Sequence, residues 1–148
     1  MASDRKAFSA SLKAYAEKSK AQMRDILQDS LFDVLEAAQT PQPSVEQTGG
    51  SFEVGKIPVL SSDLIRSLVS ELNGAQLGSA SEMSYSFAIT DMQPGDVAHF
   101  AWTAKHARSI EYGWTTSTGK EVGGRHFVGH NAARWPQIVA ANAQRIIK

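Results

Sequence analysis

The chain has no cysteine. That excludes disulfides, a thiolate nucleophile and every cysteine-ligated zinc or iron–sulfur centre, and it fits assembly in a reducing cytosol. Net charge is also missing: fifteen basic residues balance fifteen acidic ones. Proteins that coat nucleic acid ordinarily carry a positive excess, so that class is disfavoured. Near-zero net charge removes a barrier to self-association. No run approaches the roughly 18 apolar residues of a membrane-spanning helix. The opening MASDRKAFSASLKAYAEK lacks the continuous apolar stretch of a secretory signal, and no membrane partner is expected. Internal repeats and low-complexity tracts are absent from the sequence. What is there is a chain of 148 residues, 42% hydrophobic, long enough for a single domain that buries about two thirds of its unfolded surface.

The zero balance conceals a gradient. Residues 41–100 hold seven acidic and two basic residues, and residues 101–148 hold seven basic and two acidic. Residues 1–40 are balanced, six against six. Either the two halves neutralise each other within the chain, or opposite charges meet across a subunit boundary, where complementary faces steer assembly. Composition leaves both open.

Residues 4–38 read as one long helix. Phe8, Leu12, Tyr15, Met23, Ile26, Leu27, Val34 and Leu35 recur in steps of three and four, with Ser19 and Ser30 in the gaps, which marks a helical stripe. Ser3 is the expected N-cap, with Asp4 in the first turn. Some 35 residues make a rod of roughly 50 Å, against a radius of gyration of about 15 Å for a domain of this length. Either part of the stripe meets another chain, or the helix is kinked or broken and folds over its own sheet. Pro41, Pro43, Gly49 and Gly50 punctuate a loop over 40–56, with a short strand expected at Ser51–Val54. Ser62 is expected to cap a helix over DLIRSLVSEL that ends at Asn73-Gly74. The alternation of Met83, Tyr85, Phe87 and Ile89 predicts a strand over 82–90, paired through the turn at Pro94-Gly95 with a return strand at 97–104. A short helix over 105–112, a flexible Gly/Ser/Thr-rich loop within 114–125 and a closing helix over 130–147 complete the chain. The expected fold class is α+β: a small, mainly antiparallel sheet packed by a long N-terminal helix and a C-terminal helix, in a single domain over 1–148.

Little in the sequence suggests catalysis. His99, His106, His126 and His130 cluster in one stretch, and His126 and His130 are four apart. Yet no carboxylate stands between those two, and Gly129 argues against a helix there, so no metal site is expected. There is no GxSxG elbow and no phosphate-binding glycine motif. His106 and Glu111 have a poor spacing for acid–base work. No catalytic residue and no cofactor is expected. Trp102, Tyr112, Trp114 and Phe127 interleave with Lys105, Arg108, Lys120 and Arg125. That pattern suits single-stranded nucleic acid, but Trp102 and Phe127 read more simply as core.

Three segments resemble, in order, a known family. Ile57-Pro58-Val59 followed by Leu64-Ile65-Arg66-Ser67-Leu68 is similar to the P-V-[DK]-T-G-x-L-[RK]-x-S-[IL] segment of small tail-component proteins of long-tailed phages, with Leu60-Ser61-Ser62-Asp63 where that family has Thr-Gly. His106-Ala107-Arg108-Ser109-Ile110-Glu111-Tyr112-Gly113 resembles its Y-A-x-x-[VIL]-E-[YF]-G signature. Gly124-Arg125-His126-Phe127-Val128 resembles its P-F-[LM]-x-P-A segment before a C-terminal helix, without the prolines. The resemblance implies a structural, non-enzymatic virion protein that forms a ring, six- or twelve-fold, in the neck or upper tail. Assembled in the host cytoplasm, the ring would join the tail tube to the head-closure or connector proteins around the channel for genomic DNA. The neighbouring roles are a tail terminator capping the tube and, from another class, a nucleic-acid-binding module. Arg66, Arg108, Glu111, Tyr112, Trp114, Arg125 and Phe127 are the candidate subunit-interface residues. Arg108 and Glu111, three apart on one turn, are close enough to pair, either as a local ion pair that fixes the turn or as a pair across neighbouring subunits. The loops 40–56 and 114–125 are expected to order against neighbours.

Overall fold

The computed structural model describes residues 2–147, with side chains from Arg5 onward. The order of elements is α1 (Ala2–Ala38), β1 (Pro41–Pro43), α2 (Val45–Thr48), β2 (Ile57–Val59), a 3-10 turn (Ile65–Ser67), β3 (Leu68–Leu72), β4 (Ala75–Gln76), α3 (Tyr85–Asp91), β5 (Ala98–Trp102), α4 (Ala107–Tyr112), β6 (Gly113–Thr115), β7 (Glu121–Gly123), α5 (Gly129–Ala132) and α6 (Trp135–Ile146). The fold is α+β, with long helices at the two ends of the chain, as the sequence leads one to expect. Its strands form three small sheets: a parallel pair β1–β2, an antiparallel sheet β4–β3–β5 and a hairpin β6–β7.

α1 runs unbroken for 37 residues. The expected Ser3 cap and Asp4 lie outside the residues whose side chains are described. The helix has two parts. Residues 5–18 are exposed throughout and form an arm, including Phe8, Leu12 and Tyr15 at 66%, 54% and 72% exposure. The root, from Ser19 on, becomes progressively covered. α6 packs along it: Asn142 Nδ2 donates to Ser30 Oγ at 3.1 Å and to Asp33 Oδ2 at 3.0 Å, and Arg145 pairs with Asp29 at 2.5 Å. Pro136 sits in the first turn of α6, where its missing N–H costs nothing.

Two apolar clusters hold the body. Leu35, Leu68, Tyr85 and Ile89 form the first, under α1, α3 and β3, with Phe32 edge-on to Tyr85 at 5.5 Å. Ile57, Leu64, Ile65 and Phe127 form the second. Burying such a side chain fully contributes about 1.5–3 kcal/mol. Gln39 joins the clusters. Its Nε2 donates to the carbonyls of Ile65 at 2.8 Å and Glu82 at 2.9 Å, and its Oε1 accepts from Trp102 Nε1 at 2.9 Å.

Four local expectations are corrected. The segment 63–72 is not a helix: a 3-10 turn leads into β3, which pairs antiparallel with β5 from Leu68↔Trp102 to Leu72↔Ala98. Asn73-Gly74 is a hairpin turn into β4 rather than a helix end. Both residues have positive φ, 52° and 87°, as a two-residue loop that matches strand twist requires. Residues 82–90 contain no strand; α3 buries Tyr85, Ala88 and Ile89, its first, fourth and fifth residues, while Met83 and Phe87 face outward at 56% and 44% exposure. β5, expected to pair with that segment, pairs with β3 instead.

The fourth correction concerns the two loops. Over 40–56 the structure has β1 and α2, and Ser51–Val54 is not a strand. The buried Gln42 clamps the far end of this segment. Its Nε2 donates to the carbonyls of Glu53 at 2.8 Å and Lys56 at 2.7 Å, and its Oε1 accepts from the Glu53 N–H at 2.8 Å. Over 114–125 the chain forms most of the β6–β7 hairpin. The closing helix is two pieces, α5 and α6, with a break at Ala133-Arg134.

Candidate functional site

The three segments that carry the family resemblance meet in space. Ile57 comes from the first, with Leu64 and Ile65, and Phe127 comes from the third; all four are in one buried cluster, and Ile110 of the second packs against it. Phe127 lies edge-on to Trp102 at 5.2 Å. The two rings are core partners, as their sequence context suggests, with Phe127 buried and Trp102 half-buried.

Glu111 is the hinge of this assembly. It is 7% exposed at the end of α4. Its Oε1 accepts from the Val128 N–H at 3.0 Å and its Oε2 from the Gly129 N–H at 2.8 Å. The carboxylate therefore meets the first free N–H groups of α5, where a negative charge is favoured. Backbone bonds from Arg125 N to Ile110 O at 2.8 Å and from His126 N to Glu111 O at 3.1 Å fasten the same two segments. The glycine after Glu-Tyr has a physical reason. Gly113 has φ +89°, and a Cβ there would stand 2.5 Å from the Val122 carbonyl oxygen. Only glycine lets the chain turn from α4 into β6 so close to β7.

The local Arg108–Glu111 pair does not form within the chain. Arg108 is exposed, no ion pair joins the two, and the two oxygens of Glu111 are taken by backbone donors. Neither does His106 reach Glu111 by a hydrogen bond among the described residues. Asn131 completes the junction: its Nδ2 donates to the carbonyls of Gly55 at 2.9 Å and Phe127 at 2.7 Å.

Arg125 is the least conventional member. It is 1% exposed, with its guanidinium carbon 4.5 Å from the Phe52 ring centroid and 5.3 Å from that of Trp114. Nη1 donates to the Gly123 carbonyl at 2.8 Å. Nε has no hydrogen-bond partner, and among the described residues no carboxylate lies within ion-pair distance. Burial lowers its pKa from the usual arginine value. The aromatic faces hold the cation in place of a counter-ion. Ser44, whose Oγ is likewise buried without a partner, lies with Arg125 and Trp114 along a cavity of about 190 Å³.

The seven sequence candidates therefore divide. Glu111, Arg125 and Phe127 are buried and serve contacts within the chain; Trp114 is half-buried against Arg125. Arg66, Arg108 and Tyr112 are exposed. Tyr112 stands edge-on to His126, ring centroids 6.4 Å apart. Gln39, Gln42 and Asn131 carry much of the polar geometry, and nothing in their spacing marks them beforehand. Among the described residues no group of three or more His, Asp or Glu is placed to hold a metal ion, and no helix is long and apolar enough to cross a membrane. A scan of protein-family models, a search of curated proteins and a search of solved structures each found no match.

Proposed function

We propose that the chain is a structural virion protein of a long-tailed phage. In this reading copies of it form a ring in the neck or upper tail that joins the tail tube to the head connector around the DNA channel. The supporting observation is the convergence just described. Three segments that resemble the tail-component family, more than forty residues apart in sequence at their widest, are parts of one buried unit centred on Glu111 and Phe127. The Glu-Tyr-Gly stretch has a definite structural task in it, so the resemblance concerns a connected piece of architecture. The arm of α1 supports the assembly part of the reading, since it exposes an apolar stripe that the chain itself leaves uncovered. The mechanism needs no covalent chemistry: a heterologous contact whose rotation closes produces a ring.

Deleting the gene from a phage that carries it tests the reading. The expected result is filled heads and separate tails of normal length, with labelled protein at the neck when the gene is restored. Overlong tubes would transfer the role to the tail terminator. Intact, infectious particles lacking the protein would overturn both.

A further inference from the structure

The arm of α1 and a groove on the body are both apolar, both uncovered, and cannot meet within one molecule. Phe8, Leu12 and Tyr15 lie at steps of four and three, so they share one face over about 10 Å of helix. Five whole turns further along, Ile26, Ser30 and Asp33 occupy the same face, and there α6 covers it through Asn142. The arm repeats that face without a cover. The groove, of about 340 Å³, is walled by Leu31 and Val34 of α1, Phe100 and Trp102 of β5, the exposed Ala132 of α5 and Trp135 of α6. β5 is the edge of its sheet, in the order β4–β3–β5, so its outer side has no strand partner among the described residues. Residues 31–38 span about 10 Å of helix as well.

Geometry sends the arm to another molecule. α1 is continuous, and Leu12 and Val34 are about 33 Å apart along it, so the arm does not fold back onto its own groove. Charge selects the occupant. Residues 5–18 hold four basic residues and one acidic, whereas residues 19–148 hold thirteen acidic and eleven basic, with the acidic excess in 25–100. Two arms side by side would repel; an arm against the body of a second copy is attracted. Glu71, 3.7 Å from His99 Nδ1 on the groove wall, is one of those acids.

We infer that the basic arm of one copy docks, by Phe8, Leu12 and Tyr15, into the groove between α1, β5 and α6 of a second copy. The contact is heterologous, because arm and groove are different surfaces, and so it propagates from copy to copy. The inference rests on the self-assembly part of the neck reading and does not need a phage.

Sedimentation of the full chain, with single variants at exposed positions, tests it. Leu12→Glu on the arm and Ala132→Arg at the groove are each expected to weaken self-association by about ten- to a hundredfold, with circular dichroism and melting unchanged. The chain has no cysteine of its own, so mixing Tyr15→Cys with Ala132→Cys under mild oxidation is expected to give the mixed cross-linked dimer. A chain that stays monomeric at high concentration would overturn the docking. So would association indifferent to both charge variants, or Tyr15→Cys pairing only with itself. A cross-link in a protein missing from virions would defeat the neck reading and leave the docking standing. A neck protein that gives no cross-link would do the reverse.

Discussion

Truncating Glu111 tests the architecture most directly. Its two oxygens take the N–H groups of Val128 and Gly129 at 3.0 and 2.8 Å, and the side chain is almost wholly buried. Hydrogen bonds to a charged acceptor are worth about 1.5–3 kcal/mol each. Gly129 is exposed, so water takes over its N–H once the carboxylate is gone, and part of that bond is recovered. The Val128 donor, half-buried, recovers less. Glu111→Ala should therefore cost about 2–4 kcal/mol, which for a domain of this length lowers the melting temperature by about 5–15 °C. Glu111→Gln keeps one acceptor oxygen and should cost about half as much. Arg108→Ala is the decisive companion, because an exposed side chain with no ion-pair partner should fall within about 0.5 kcal/mol of the parent. Urea unfolding with a constant slope supplies the comparison. A loss on Arg108→Ala equal to that on Glu111→Ala would show that the two act as a pair, and the assignment of Glu111 to the N-terminus of α5 would be wrong.

Three further outcomes follow from the same geometry. Gln42→Ala removes three hydrogen bonds that fasten Glu53 and Lys56 to β1; limited proteolysis should then cut within 44–56 at least tenfold faster, and an unchanged rate would refute the clamp. Arg125→Met keeps an apolar stem of similar length but removes the cation held over Phe52 and Trp114 and its hydrogen bond to the Gly123 carbonyl, and should cost about 1–3 kcal/mol; an unchanged denaturant midpoint would refute the aromatic faces as the support of the cation. The Gln93 N–H and the Asn73 amide hold the Asp96 carboxyl below its usual value of 3.8. A depressed carboxyl contributes stability at pH values above 3.8 that is lost as the pH falls through the lower folded-state value. Asp96→Asn should therefore flatten the fall in melting temperature below about pH 4, and an identical acid limb in both proteins would refute the assignment.

What the sequence reveals of this fold depends on how far each signal reaches. α1, β5, α4 and α6 are legible because their apolar spacing is long or their propensity agrees with it. The failures are short. Met83, Tyr85, Phe87 and Ile89 alternate as in a strand, but in α3 the buried set is Tyr85, Ala88 and Ile89, and alanine carries too little apolar surface to announce it. Leu64, Leu68 and Leu72 fit a helix, yet Asn73-Gly74 makes a hairpin, and β3 is completed only by β5 some thirty residues on. The loop over 40–56 is ordered by one glutamine whose partners lie 11 and 14 residues away, a relation no local pattern encodes. At the site, the resemblance names Glu111 and Phe127 among the subunit-interface candidates, whereas both are buried and make their contacts within the chain. Helical spacing places Arg108 within reach of Glu111, but backbone N–H groups, invisible to side-chain patterns, hold the carboxylate instead.

The charge gradient admits two explanations, and the ion pairs discriminate between them. If the acidic middle and the basic C-terminal third neutralised each other inside the chain, pairs should bridge them. Among the described residues, Arg24–Asp25 and Lys56–Glu53 are local, and His99–Glu71 joins two strands within the acidic middle. Arg145–Asp29 alone ties the basic third to a distant acid, and that acid belongs to α1. The middle segment therefore leaves most of its negative charge facing outward, while Arg5, Lys6, Lys13 and Lys18 stand on the exposed arm of α1. Such separation has an electrostatic cost in a lone molecule, which screening at physiological salt reduces but does not remove over distances below about 8 Å. It becomes favourable once the arm of one copy lies on the body of the next, so the charge pattern and the uncovered apolar stripe favour the same contact for different physical reasons.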